Sequence, residues 1–296
     1  MQPPVVHLID ASVYVFRAYY ALPPMHAPDG TPTHAAYGFT NTLLRYLREA
    51  AVTHVAVCFD HSMRSFRNDL EPGYKAQRGE TPEDLVPQFE LASRAAEAIG
   101  LVACEAPDFE ADDCIATLAS EVLSQGASAV VVTSDKDLSQ LVREDGRVVV
   151  HDFGRGETLD ADGVRRRFGV DPEQIPDYLG LVGDAVDNLP GVPGVGPKSA
   201  AAVLGAFGRI EAIADDPAAW EGVPVRGATR IAQRVAAHRE RALRTRDLAR
   251  LRSDVPGLRS GLAELRRRGP DPSRVAELFD RLGWGRIATR ALEPPG

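Results

Sequence analysis

Short runs of Val, Ile and Leu recur through the first half of this chain, and several of them end at an acidic residue. VVHLI runs into Asp10, HVAVCF into Asp60, and VVVTSDKD carries Asp135 and Asp137 just past its apolar stretch. Apolar runs of about 4–8 residues, rich in β-branched side chains and separated by helix-length segments, are the pattern of strands buried on both faces of a parallel sheet. The pattern predicts strands at 5–9, 54–59, 101–104, 129–133 and 148–151, with helices at 35–50, 83–99 and 110–123. The expected fold class is therefore α/β, a mostly parallel central sheet flanked by helices.

Two further acidic groups complete the set: Glu110, Asp112 and Asp113 in FEADD, and Asp184 with Asp187 in GDAVDN. A carboxylate at the carboxyl end of a parallel strand points into the crevice above the sheet, where open α/β folds hold their ligands. So many acids in one crevice require cations. Hard oxygen donors suit Mg²⁺ or Mn²⁺, and two such ions a few Å apart are able to cleave a phosphodiester. Glu110 and Asp113 also sit three apart on the first turn of a predicted helix, where the helix dipole favours a carboxylate without any metal. For one acid of that group the structural reading suffices.

The net charge of −8 looks hostile to nucleic acid, but without these acids the remaining acidic and basic residues nearly balance. Basic residues gather at Arg64, Arg67, Lys75 and Arg78, and arginine is dense from Arg226 to Arg290. Hydrophobic residues at 44% and charged residues at 26% are ordinary globular values. No apolar run approaches the roughly 20 residues of a membrane span, and Met1 leads into a Pro-Pro step rather than a signal region. A monomer in the bacterial cytosol is expected, with no membrane contact. Cys58, Cys104 and Cys114 form no CxxC, which argues for reduced, buried thiols rather than disulfides or zinc. The 7 histidines form no HExxH, and no GxSxG is present, which argues against serine-nucleophile chemistry.

Two stretches break the strand–helix alternation. Residues 61–82 are polar, basic and poor in aliphatics, and a connection of that length is unusual unless it is functional. After Arg165 the chain reads as helical, with Gly and Pro punctuation. Two domains are expected, an α/β core at 1–165 and a helical region at 166–296. Within the second, PGVPGVGPKSAAAVL places Gly191, Gly194 and Gly196 in a tight hairpin, with Pro197, Lys198 and Ser199 opening a helix. Backbone N–H groups at such a turn are able to hold a phosphate without reading sequence. A Walker A loop is excluded, because Pro197 stands where its glycine must precede the lysine.

LIDASVYVFRAYY, VCFDHSMRSFRNDLEPGYKAQR, FEADDCIATLA, VVTSDKDLSQL and GLVGDAVDNLPGVPGVGPKSAAAVL occur in the order and approximate spacing of the bacterial 5′-nuclease family. That family comprises flap endonucleases and the 5′→3′ exonuclease domain of DNA polymerase I, and the resemblance extends from about residue 5 to about residue 282. It implies a PIN-like or resolvase-like core with a helical arch at 61–82 and a helix–three-turn–helix element at 184–208, sometimes holding K⁺. It implies two Mg²⁺ (or Mn²⁺) ions, the first held by Asp10, Asp60, Glu110 and Asp112, the second surrounded by Asp113, Asp135, Asp137, Asp184 and Asp187. Tyr74, Lys75 and Arg78 match the base of the arch. Arg64, Arg67, Gly191, Gly194, Gly196, Lys198 and Ser199 are candidates for DNA contact.

Independently of the family, Lys75 and Arg78 suit a clamp on a scissile phosphate, and Tyr74 suits stacking on a base, with core packing as its alternative. The expected function is a freestanding, structure-specific DNA 5′-nuclease acting on flaps and 5′ ends at single-strand/duplex junctions in replication and repair. A catalytically inactive nucleic-acid-binding protein and a PIN-type ribonuclease are the rivals. A degenerate acid set would favour the first rival. The second predicts neither the glycine hairpin nor the basic segment.

Overall fold

The computed structural model of the protein describes residues 3–258 and 260–293. β1 (Val5–Asp10) runs directly into α1 (Ala11–Ala21), and α2 (His34–Glu49) leads to β2 (His54–Cys58). The short α3 (Phe66–Leu70), α4 (Val86–Ala98), β3 (Val102–Cys104), α5 (Ala111–Ser124) and β4 (Ser128–Val132) follow, then β5 (Val148–Asp152) and β6 (Glu157–Leu159). Beyond the sheet come α6 (Ala161–Phe168), α7 (Ile175–Val182) and a two-residue ladder of β7 (Gly183–Asp184) with β8 (Leu189–Pro190). The chain continues through α8 (Pro197–Phe207), α9 (Ala228–Ala249), α10 (Pro272–Arg281) and α11 (Gly285–Leu292).

The main sheet has the order β3-β2-β1-β4-β5-β6, parallel except at β6, which pairs antiparallel with β5. Strand order reverses at β1, which lies between β2 and β4. The carboxyl ends of these three strands therefore flank the crevice where open sheets bind ligands. Side chains alternate between two cores. Val6, Leu8, Ala56 and Cys58 face one with α5 and α7–α9, whereas Ile9, Val55 and Val57 face the other with α1, α2 and α4. The predicted strands and helices are present within a few residues. The antiparallel edge strand β6 was missed, because its ETL sequence is short and polar.

Two expectations are corrected. Residues 61–82 do not form an extended helical arch: only Phe66–Leu70 is helical there, and the remainder is turns and loop. The region after 165 is helical apart from the β7–β8 ladder, but it is not one body. Val275 and Phe279 of α10, Trp284 at the N-cap of α11 and Ile287 of α11 are buried in the core shared with α2 and α4. Val55 N–H donates to the Leu265 carbonyl at 2.8 Å. Residues of α10 and α11 thus pack on the α/β half rather than with the rest of the helical region. The helical character of this region was legible, but periodicity does not say which neighbour covers a helix face. No described helix is long and apolar enough to cross a membrane.

Candidate active site

Asp10 is both the last residue of β1 and the N-cap of α1, so the strand turns into the helix with no loop to blur its position. Its Oδ1 accepts from Val13 N–H at 3.3 Å and its Oδ2 from the Thr133 hydroxyl at 2.7 Å. Asp60, two residues past β2, accepts from Ser12 Oγ at 2.6 Å and from Ala111 N–H at 2.8 Å. Thr133 Oγ1 also accepts Asp135 N–H at 2.9 Å, and Asp135 Oδ1 accepts Asp137 N–H at 2.8 Å. These successive side-chain turns fix both acids beyond β4. Asp184 makes the same kind of turn by accepting Val186 N–H at 2.8 Å. Ser12 and Thr133 were not singled out in the sequence, although each stands two residues from a named acid.

Burial first, then mutual repulsion, disfavours the charged state of these groups. Asp10 is pushed up to about 7 by burial, with the neighbouring Asp60 and Asp135 adding to the rise against the Thr133 hydrogen bond. Asp60 and Asp135 are raised by burial. Asp112 and Asp137 stand well above the carboxylate range, for burial and for nearby acids: Asp10 and Asp135 beside Asp112, Asp135 and Asp184 beside Asp137. Glu110 is the exception. Burial raises it, but Lys75 and Arg67 outweigh that and hold it below its usual value.

The cluster therefore holds more acid than its neighbouring cations offset, and one of its oxygens lacks a partner: Asp137 Oδ1 is buried without a hydrogen bond. Buried polar atoms of this kind are rare and call for a ligand, ion or water. The donor set is all carboxylate oxygen, which fits a hard divalent ion. Among the described residues no three such side chains close on one point as a ready-made cage. Mg²⁺ seldom uses one, since it retains waters and takes one or two carboxylates together with substrate phosphate.

Lysine and arginine reach the same acids. Lys75 Nζ lies 2.8 Å from Glu110 Oε2, Arg78 Nη2 2.5 Å from Asp187 Oδ1, and Lys136 Nζ 2.6 Å from Asp184 Oδ2. Lys136, between the two acids of SDKD, is a site residue that the sequence reading passed over. Lys75 holds a left-handed backbone with φ of 55°, and its N–H donates to the Asp187 carbonyl at 2.9 Å. Asn188 Nδ2 donates to the Gly73 carbonyl at 2.7 Å. GYKAQR and GDAVDN, far apart in sequence, are joined backbone to backbone.

Three expected roles are corrected here. Asp113 is fully buried and forms a two-pronged pair with Arg67 at 2.7 and 2.8 Å, so its oxygens do not face the crevice. It also closes a reciprocal cap with Glu110 at the start of α5 and accepts Arg252 N–H. Arg67 is 2% exposed and donates to the carbonyls of Leu248 and Arg250, which leaves it no reach to DNA. Tyr74 is 3% exposed and cannot stack on a base. Its hydroxyl instead lies 3.2 Å from both Glu110 and Asp187, bridging the two acid groups. Arg64 is exposed and pairs with Asp69.

The glycine hairpin lies at the far end of GDAVDNLP. Gly191 passes so close to Val182 that a Cβ would overlap its carbonyl, and Gly194 has φ of +75° with the Arg234 guanidinium lying against it. Gly196 caps α8 in an ordinary extended conformation with open space around it. Lys198 is exposed, without an ion pair among the described residues, and Ser199 is half-buried in the first turn of α8.

A doubly faced, mostly parallel sheet with a carboxylate crevice at its switch point defines this as a protein of the resolvase-like nuclease class. Residues 5–169 match the family model of the 5′-3′ exonuclease N-terminal resolvase-like domain, and residues 170–273 match that of the 5′-3′ exonuclease C-terminal SAM fold. The chain belongs to the 5′-3′ exonuclease family. It is 40% identical over 257 residues to DNA polymerase I of Rhizobium leguminosarum, covering 84% of this chain and 24% of that protein. It is 38% identical over 294 residues to DNA polymerase I of Mycobacterium bovis, covering 98% and 32%. The chain thus spans about a quarter to a third of the length of these relatives. In fold it is similar to the T5 D15 protein co-crystallised with metal ions, with a TM-score of 0.68 at 17% identity over 97% of this chain and 99% of that one. It is also similar to the catalytic core of Rad2 in complex with a DNA substrate, with a TM-score of 0.64 at 16% identity over 100% and 93%.

Proposed function

We propose that this chain is a structure-specific DNA 5′-nuclease that cuts at single-strand/duplex junctions and leaves a 5′-phosphate and a 3′-hydroxyl. The observation that carries the reading is the meeting of strand-end acids from β1, β2 and β4 with Lys75, Arg78 and Lys136 in one crevice. Divalent ions, when bound, supply a water that is nucleophilic near neutral pH and offset charge on the attacking and leaving oxygens. Asp10, Asp60, Glu110 and Asp112 would hold one such ion, and Asp135, Asp137, Asp184 and Asp187 the acids around a second. The metal ions and DNA in the structures of the fold relatives support this assignment.

Lys75 and Arg78 supply cations to the scissile phosphate, where charge grows in the transition state. Tyr74 holds Glu110 and Asp187 in register. The hairpin at 191–199, through its amides and Lys198, grips the duplex backbone without sequence readout, and K⁺ at that turn belongs to the same reading. Duplex held there and acids in the crevice together make a junction the preferred substrate. Cleavage of a 5′-labelled flap, compared with a matched duplex and single strand in Mg²⁺ and in EDTA, tests the proposal. The flap should be cut preferentially and only with the metal. Equal cutting of all three, or activity that survives chelation, refutes it.

A further inference from the structure

The second acid group lines an open cleft of about 270 Å³ together with four cations, Arg78, Lys136, Arg155 and Arg167. Two of the four are engaged by cleft carboxylates, Arg78 by Asp187 and Lys136 by Asp184. The other two are not. Arg155, on the turn between β5 and β6, has among the described residues only Asp152 within ion-pair distance, at 3.7 Å, with 61% of its side chain exposed. So long and exposed a pair restrains the guanidinium very little. Arg167, near the end of α6, has no carboxylate within ion-pair distance among the described residues, and its guanidinium lies 5.3 Å from the centre of the Phe168 ring.

An anionic strand that enters a cleft lined by Asp135, Asp137, Asp184 and Asp187 meets repulsion at every step, and unengaged cations at the rim offset it. A planar guanidinium fork matches two phosphate oxygens at once. We propose that Arg155 and Arg167 form a second phosphate site, which holds a backbone phosphodiester next to the scissile one and so sets which linkage reaches the acids. They are positioning residues and do not touch the reacting atoms. The inference rests on the DNA-nuclease reading above. It adds two residues that neither the sequence motifs nor the arch and hairpin assignments include. The two elements that carry them are separate, so a shared anion would also tie the β5–β6 turn to α6.

The test pairs a protein change with a substrate change. Flap substrates carrying a single uncharged methylphosphonate at each linkage around the cut are compared on wild-type protein, R155A/R167A and R155K/R167K. Binding is read in Ca²⁺ and single-turnover cleavage in Mg²⁺. On wild type, one flanking methylphosphonate should weaken binding about tenfold, the scale of one charge-assisted contact. R155A/R167A should weaken binding to the all-phosphate flap by a similar factor and be insensitive to that methylphosphonate. It should also spread cleavage over neighbouring linkages, and the lysine variant should restore most of the affinity. A methylphosphonate effect of the same size in R155A/R167A at every linkage, with an unchanged cut position, overturns the inference while leaving the nuclease reading intact. Failure of the wild type to cleave the unmodified flap in Mg²⁺ removes both.

Discussion

Asp10 and Asp113 are separated by the partner each side chain finds, although the family resemblance gave both a place at a metal site. Asp113 is satisfied by Arg67, and breaking a buried pair of this kind by removing one partner costs about 3–5 kcal/mol. Asp113→Ala should therefore lower unfolding free energy by that order in urea titration, while the Mg²⁺ response of the folded fraction stays intact. Asp135 is fixed by turn hydrogen bonds rather than by a cation, so Asp135→Asn should leave the fold in place. It should reduce cleavage by roughly 10²–10³-fold, with flap binding retained, as read by single-turnover assay and anisotropy. The pH behaviour follows from the raised acids. Asp10, about 7 in the fold against 3.8 in the unfolded chain, binds its proton more tightly when folded. Its stability contribution is thus most favourable below the unfolded value and is lost as pH rises through 4 to 7. Asp60, Asp112, Asp135 and Asp137 act in the same direction. In EDTA the melting temperature should fall between pH 5 and pH 8. Mg²⁺ or Mn²⁺ should raise it more at pH 8 than at pH 5, because only the deprotonated acids are ligands. A metal-free melting temperature that rises over that range contradicts the electrostatics described.

At the scale of elements, the strands were legible because their apolar runs are buried on both sides, and the strand-end acids followed from them. Tyr74, Arg67 and Asp113 were misassigned because motif position does not report burial. Lys136 was overlooked although it lies inside SDKD, since nothing in a sequence shows that its ammonium will meet Asp184 of a distant loop. The glycine hairpin allows a sharper comparison than composition did. Gly191→Ala places a Cβ against the Val182 carbonyl and should distort the β7–β8 turn that carries Asp184 and Asp187, so both stability and cleavage fall. Gly196→Ala meets open space at an ordinary φ of −100° and should be nearly silent. Lys198→Ala should flatten the log–log salt dependence of duplex binding by a slope of about one. Thermal melts and salt-titrated binding of the three variants, side by side, separate a turn needed for shape from one that holds phosphate.

Over the whole molecule, the α/β half is completed by α10 and α11. Phe279 and Trp284 are each about 2% exposed or less in the core with α2 and α4, and burying side chains of this size contributes roughly 1.5–3 kcal/mol apiece. Deletion of residues 272–296 should therefore uncover that face, lower the melting temperature by many degrees and produce aggregation, as read by calorimetry and light scattering. A truncated chain that melts like the full one would show that α10 and α11 are ornaments on a self-sufficient core. The sequence showed a helical region here but not where its end packs. The same closure governs the order of events during synthesis. Translation delivers β1 first and α11 some 280 residues later, an interval of roughly 14–60 s at bacterial elongation rates. Throughout that interval α2 and α4 stand with one apolar face bare on the ribosome. The strands that bear the acids exist early, but the body that holds them rigid is completed only after α10 and α11 emerge, so a nascent chain carries the parts of the crevice before it carries their packing.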